Sequence, residues 1–180
     1  MMAPVEPPIA LVGLMGAGKS AVARVLGERL GASVADLDSM IEAVEGDTIA
    51  DLFERAGEDW FRRREGELLS QVLDSGVRII ACGGGIVVDP KPRQLLKERC
   101  RVVWLEVSPA EAARRLAAGG EDPASTRPLL AGDDPGRRLA ALLAERGPWY
   151  ASVAHVRIPT DGLGPPQVAD RALAALAGPA

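Results

Sequence analysis

Ile9-Ala-Leu-Val12 runs directly into Gly13-Leu-Met-Gly16-Ala17-Gly18-Lys19-Ser20, and a helical pattern follows through Leu30. Residues 13–20 form a complete G-x-x-x-x-G-K-S phosphate-binding loop, set between an apolar strand and a helix as the motif requires. The glycines let the backbone curl so that successive N–H groups face an anion, and the helix N-terminus behind them adds further donors. Lys19 would reach the β- and γ-phosphates of a nucleoside triphosphate, and the Ser20 hydroxyl would ligate Mg²⁺. Val22, Val25, Leu26 and Leu30 supply one apolar face for the helix.

Outward from this stretch, short apolar strands alternate with helices. Strands are expected at Ser33–Asp38, Val77–Cys82, Arg101–Val107 and His155–Ile158. Short helices are expected over 39–44, over a segment capped by Asp47 or Thr48, and over 94–97. Longer ones are expected over 58–73, over 136–146 ending before Gly147-Pro148, and over 167–176. Ser108 opens a capping box with Glu111, Pro109 takes the first helical position, and that helix reaches Ala118. Such alternation implies a parallel sheet covered on both faces, with ligands beyond the carboxyl ends of the strands. Those ends carry the phosphate loop, Asp36 and Asp38, Gly83-Gly84-Gly85, and the stretch after Val107.

The chain has 180 residues and 47% hydrophobic content, enough for one core. Its net charge of -4 argues against general binding to nucleic acid or a membrane surface. No apolar run approaches membrane-spanning length, and the first residues are too few and too polar for a signal peptide, so the expected compartment is the cytoplasm. Cys82 and Cys100 lack metal-ligand spacing and read as free thiols. Aromatics make up only 3%, leaving few candidates for stacking on a ligand.

Four features bear on what receives the phosphoryl group. Asp36 and Asp38 would share one side if strand geometry persisted, one serving Mg²⁺ and the other an acceptor hydroxyl; a solvated strand end is the plain alternative. Arg62 and Glu65 lie a helical turn apart, either as a surface ion pair or as a carboxylate-binding fork with its orienting partner. Glu65 would sit inside the stripe Phe61, Leu68, Leu69 and Val72, which favours a cleft. Gly83, Gly84 and Gly85 suit close approach of a ligand better than an ordinary turn. Arg127 and Arg146 flank a helix beyond the aperiodic segment 119–125, and Arg127, at the hinge of a lid, would clamp phosphates. The inferred acceptor is small, anionic and hydroxylated. His155 reads as a satisfied histidine at a strand edge.

In this order and spacing, these motifs resemble shikimate kinase from Ile9 to Leu176. The set is Gly-Leu-Met-Gly-Ala-Gly-Lys-Ser at 13–20, Asp-x-Asp at 36–38, Phe-Arg-x-x-Glu at 61–65, Gly-Gly-Gly at 83–85, Arg-Pro-Leu at 127–129 and Arg-x-x-x-Tyr at 146–150. The resemblance implies ATP- and Mg²⁺-dependent phosphorylation of the 3-hydroxyl of shikimate, giving shikimate 3-phosphate and ADP. It implies an α/β fold like that of P-loop nucleoside monophosphate kinases, a three-layer sandwich around a five-stranded parallel sheet. A flexible tail at 1–8 would precede one kinase domain at 9–177, with a substrate-binding region at 36–65 and a lid at 117–128.

Carried over, Lys19, Asp38 and Arg127 are the catalytic residues. Asp38, Arg62, Gly83, Gly84, Gly85 and Arg146 bind shikimate, with Glu65 holding Arg62. Gly16, Ala17, Gly18, Lys19, Ser20, Ala21 and Arg127 hold the nucleotide, Arg115 and Pro165 bracket adenine, and Ser20 and Asp36 serve Mg²⁺. The protein would be a monomer. Three features depart from common patterns. Segment 119–126 has no basic residue, Ala21 stands where a second hydroxyl is frequent, and the strand before Gly83 lacks the terminal aspartate of an ordinary Walker B segment. The last matches the family. Another small-metabolite kinase such as a gluconate kinase, or a nucleotide-binding regulatory protein without turnover, is the alternative reading.

Overall fold

A computed structural model describes residues 6–119, 129 and 134–178. Five parallel strands form one sheet: β1 (Ile9–Val12), β2 (Val34–Asp36), β3 (Ile79–Ala81), β4 (Arg101–Glu106) and β5 (Val156–Pro159), in spatial order β2-β3-β1-β4-β5. Successive β1 residues alternate between two cores. Ala10 and Val12 pack with Phe61, Leu69 and Trp104 on one face, and Leu11 packs with Val22, Leu26 and Ala172 on the other. Burial on both faces explains why the strands read as continuous apolar runs.

The helices are α1 (Lys19–Leu30), α2 (Leu37–Glu45), α3 (Ile49–Ala56), α4 (Glu58–Asp74), α5 (Pro90–Arg99), α6 (Pro109–Ala118), α7 (Pro135–Val153) and α8 (Pro165–Ala177). This is the α/β fold expected, with β1 at the switch point where the chain crosses to opposite sides of the sheet. Register pairs Leu11 with Ala81 and Val12 with Trp104, which brings Gly13, Gly83 and Leu105 to the same level at the carboxyl edge of the sheet. Gly13 has φ 143, and a Cβ there would stand 2.4 Å from the Leu105 carbonyl oxygen, so only glycine lets the loop leave the sheet at this point.

Several local expectations are revised. Asp36 ends β2 and caps α2, accepting from Ser39 N–H at 3.2 Å, so Asp38 belongs to the first helical turn and not to a strand. The pair does not share a strand face. Ser108 accepts from Glu111 N–H as expected, but Glu111 turns its carboxylate to Arg114 and Arg115, and Asp161 takes the Ser108 N–H instead. Helix α5 begins earlier than expected because Pro90 and Pro92 fall in its first turn, where no N–H is required.

Helix α7 does not stop before Gly147-Pro148 but continues to Val153. An interior proline costs about 3 kcal/mol. Here the cost is offset by burying Leu142, Tyr150 and Val153, so tertiary packing overrides local preference. Leu30, assigned to the apolar face of α1, is 48% exposed, while Val22 and Leu26 are buried. Cys82 and Cys100 are free buried thiols. His155 is satisfied at the edge between β4 and β5, its Nδ1 accepting from Val102 N–H at 3.0 Å.

Candidate active site

The phosphate loop joins β1 to α1 at the carboxyl edge of the sheet. Gly18, the N-cap of α1, has no side chain to occupy the first helical N–H groups. Those donors remain directed at whatever lies in the loop. Lys19 Nζ donates to the carbonyls of Gly13 at 2.9 Å and Leu14 at 3.0 Å, which folds the ammonium over the loop. A cavity of about 750 Å³ opens here, lined by Gly16, Gly18, Lys19, Ser20, Ala21, Asp36, Asp38 and Arg115. Both predicted Mg²⁺ residues, Ser20 and Asp36, border it.

Among the described residues no cluster of three or more His, Cys, Asp or Glu could hold a metal unaided. Mg²⁺ of the phosphoryl-transfer kind takes one or two protein ligands and completes its shell with phosphate oxygens and water. One hydroxyl and one carboxylate on a shared wall fit such an ion.

Arg115 closes the side of the loop. Its Nη1 donates to Gly16 O at 3.3 Å, Ala17 O at 3.4 Å and Thr160 Oγ1 at 3.2 Å, its Nη2 to Thr160 O at 2.6 Å, and its Nε to Glu111 at 2.8 Å. Hydrogen bonds from Arg114 and Arg115 hold the Glu111 carboxyl down at about 2. Beyond Arg115 a second cavity of about 250 Å³ lies between Ala17, Val22, Leu163 and Pro165. The structure thus brings Arg115 and Pro165 to one slot beside the loop.

An adjoining niche carries the anion-recognition candidates. Arg62, 7% exposed, donates to Glu65 at 2.5 Å and to Glu58 at 3.0 Å and 3.2 Å, with its guanidinium over the rings of Phe53 and Phe61. Arg62 and Glu65 are therefore a buried pair, and the surface reading is excluded. Burial opposes the Arg62 charge, but Glu65 and Glu58 outweigh it and hold the guanidinium above its ordinary range. Burial pushes the Glu65 carboxyl up to about 7 against the pull of Arg62, with Asp38 adding to the rise.

The three glycines make room for these side chains. A Cβ at Gly83 would stand 2.1 Å from Glu65 Oε1 and 2.7 Å from Asp38 Oδ1, and one at Gly85 would overlap the Arg62 guanidinium. Gly84 lies against the phosphate loop near Met15 N. Arg146 comes in from α7, 2% exposed, with Nη1 at 3.4 Å from Gly84 O. Two buried polar atoms make no hydrogen bond among the described residues, Glu65 Oε1 and Arg146 Nε. Asp38, Arg62, Glu65, Gly84, Gly85 and Arg146 border one niche of about 70 Å³ that meets the main cavity at Met15 and Asp38. Arg127 lies outside the described residues, as do residues 120–128 of the expected lid segment 117–128, while Ala117 and Ala118 end α6.

Some residues around the site, Phe61 apart, carry no motif. Glu58 precedes Arg62 by four residues on α4, a spacing visible in the sequence that marks it as a partner. Phe53 and Phe61, with ring centroids 4.7 Å apart, are both of the chain's phenylalanines, and both line the niche. Thr160, fully buried against Arg115 and the Glu106 carbonyl, has no local signal.

The family model described as shikimate kinase matches residues 15–177. A shikimate kinase of Symbiobacterium thermophilum is 46% identical over 85% of this chain and 86% of its own length. One of Rhodococcus jostii is 39% identical over 95% and 98%. A solved shikimate kinase from Acinetobacter baumannii, in complex with shikimate, superimposes with a TM-score of 0.89 at 36% identity, covering 95% of this chain and 93% of that one. A gluconokinase from Sinorhizobium meliloti shares the fold alone, with a TM-score of 0.58 at 17% identity.

Proposed function

The chain belongs to the shikimate kinase family, and we propose that it transfers the γ-phosphoryl group of ATP to the 3-hydroxyl of shikimate, giving shikimate 3-phosphate and ADP. The observation that carries this reading is the junction at Asp38 and Met15, where a phosphate-loop cavity meets a buried niche holding Arg62 and Arg146. An anionic, hydroxylated acceptor and a triphosphate would meet at that junction.

The loop N–H groups and Lys19 bind the phosphates and offset charge as it spreads over the transferred group. Ser20 and, directly or through water, Asp36 would hold Mg²⁺, which when bound would further neutralise the phosphate oxygens. Arg62 and Arg146 bind the acceptor carboxylate, and Glu65 and Glu58 hold Arg62 in place. Asp38 orients the attacking hydroxyl and takes its proton as the oxygen–phosphorus bond forms and the bond to ADP breaks. Arg115 and Pro165 bracket adenine, and Arg127 adds positive charge at the phosphates. Residues 36–65 form the acceptor-binding region and 117–128 the lid, which excludes water during transfer. The same reading makes the protein a cytoplasmic monomer, with ATP and shikimate as its partners.

The test is ADP release from ATP and Mg²⁺ with shikimate, with gluconate and with no acceptor. Release that requires shikimate is expected. Equal release with gluconate would reassign the acceptor, and ATP binding without acceptor-dependent release would replace catalysis by a nucleotide-binding role.

A further inference from the structure

Tyr150 is the chain's single tyrosine and is fully buried. Its hydroxyl donates to the Gly84 carbonyl at 2.5 Å, and its ring lies 5.8 Å from that of Trp104. Arg146, one turn earlier on α7, reaches the same carbonyl only at 3.4 Å. The tyrosine therefore makes the good hydrogen bond and the arginine a marginal one. Arg146 keeps a buried Nε without a partner among the described residues, on a guanidinium that borders the niche.

Gly84 stands between two functional surfaces. Its Cα lies so close to the phosphate loop that a Cβ would be 3.4 Å from Met15 N and 3.5 Å from Gly13 O. Its carbonyl shares a planar peptide unit with the Gly85 N–H, which points the opposite way. Holding the carbonyl toward α7 thus fixes the direction of that N–H at the niche wall.

We propose that Tyr150 is a positioning residue of the acceptor site: by satisfying the Gly84 carbonyl it sets the 84–85 peptide plane and leaves Arg146 directed at the acceptor carboxylate. This rests on the acceptor assignment above. Without the hydroxyl, the part-buried carbonyl keeps only the marginal Arg146 bond and draws that guanidinium further onto itself. The niche then loses both a fixed wall and an anion donor. Burial pushes the Tyr150 hydroxyl up to about 12 against the charge and hydrogen bond of Arg146, so it stays protonated and donating at every working pH.

The experiment is Tyr150→Phe, which retains the ring against Trp104. Expected is a rise of about tenfold in the KM for shikimate, with kcat and the KM for ATP changed by less than about twofold. An unchanged shikimate KM, or an equal rise for ATP, would overturn the proposal. A second measurement does not depend on the variant folding. Because tyrosine occurs once, fluorotyrosine incorporated biosynthetically reports on this site alone by ¹⁹F NMR. Its resonance is expected to shift on adding shikimate and not on adding ADP; no response to shikimate would overturn the proposal. If the unsubstituted enzyme releases no ADP with shikimate, the acceptor assignment fails instead, a result distinct from either.

Discussion

Gly85 and Arg62 occupy mutually exclusive space: a Cβ added at Gly85 would stand 2.0 Å from Arg62 Nη1 and 2.1 Å from its Cζ. The glycine is thus a seat for a guanidinium that belongs to another element, and the two residues form one steric unit.

Gly85→Ala should therefore act as a partial copy of Arg62→Ala. Both should raise the KM for shikimate, by roughly ten- to a hundredfold, while the KM for ATP stays within about twofold. Steady-state kinetics checks this, and equal effects on the two substrates would remove Arg62 from acceptor binding. Thermal denaturation should separate the pair, because Arg62→Ala leaves Glu65 buried and unpaired, a loss of about 3–5 kcal/mol.

Lys19→Ala should lower kcat by about 10²- to 10³-fold, the range for removing one preorganised donor from developing charge. The KM for shikimate should hardly move, since Lys19 contacts the loop carbonyls of Gly13 and Leu14 and borders the phosphate cavity, not the inner niche. A variant retaining half of wild-type kcat would sink the assigned role.

Protonation of Glu65 gives a pH signature. Its carboxyl rises from 4.5 to about 7 through burial, opposed by Arg62 and Arg146 and reinforced by Asp38. The folded state binds this proton more tightly than the unfolded one. Its stabilising contribution is full below about 4.5 and is lost as pH rises through about 7. The difference in melting temperature between wild type and Glu65→Gln should change across that window and be flat above it. A constant difference throughout would contradict the assignment.

Glu111→Gln should raise the KM for ATP several-fold and leave that for shikimate unchanged, because Glu111 anchors Arg115 beside the phosphate loop. With its carboxyl lowered to about 2, the group's favourable contribution is present above the ordinary carboxylate value and disappears only as pH falls through about 2. The effect on ATP should accordingly be independent of pH across the neutral range. A pH-dependent KM ratio near neutrality would assign it to another group.

The phosphate loop, the alternation of strands and helices, and the inward stripe of α4 were all legible in the sequence. Each depends on local backbone chemistry or on a helical or strand period, and such signals survive without knowledge of neighbours. Even the odd placement of Glu65 among Phe61, Leu68 and Leu69 pointed correctly to a cleft.

Other features were decided by contacts between distant elements. Gly147-Pro148 reads locally as a helix end, yet α7 passes through it because Tyr150 must reach Gly84. Asp36 and Asp38 read as neighbours on a strand, yet the chain turns helical between them. Glu111 reads as half of a capping box, yet two arginines claim it. Thr160 carries no motif at all and is joined to the phosphate loop through Arg115. Sequence by itself determined which residues could bind phosphate and carboxylate, because that chemistry resides in the groups themselves. Only the tertiary structure decided which of them meet and which polar atoms are left without partners, because burial and distance are properties of the packed chain and not of any one segment.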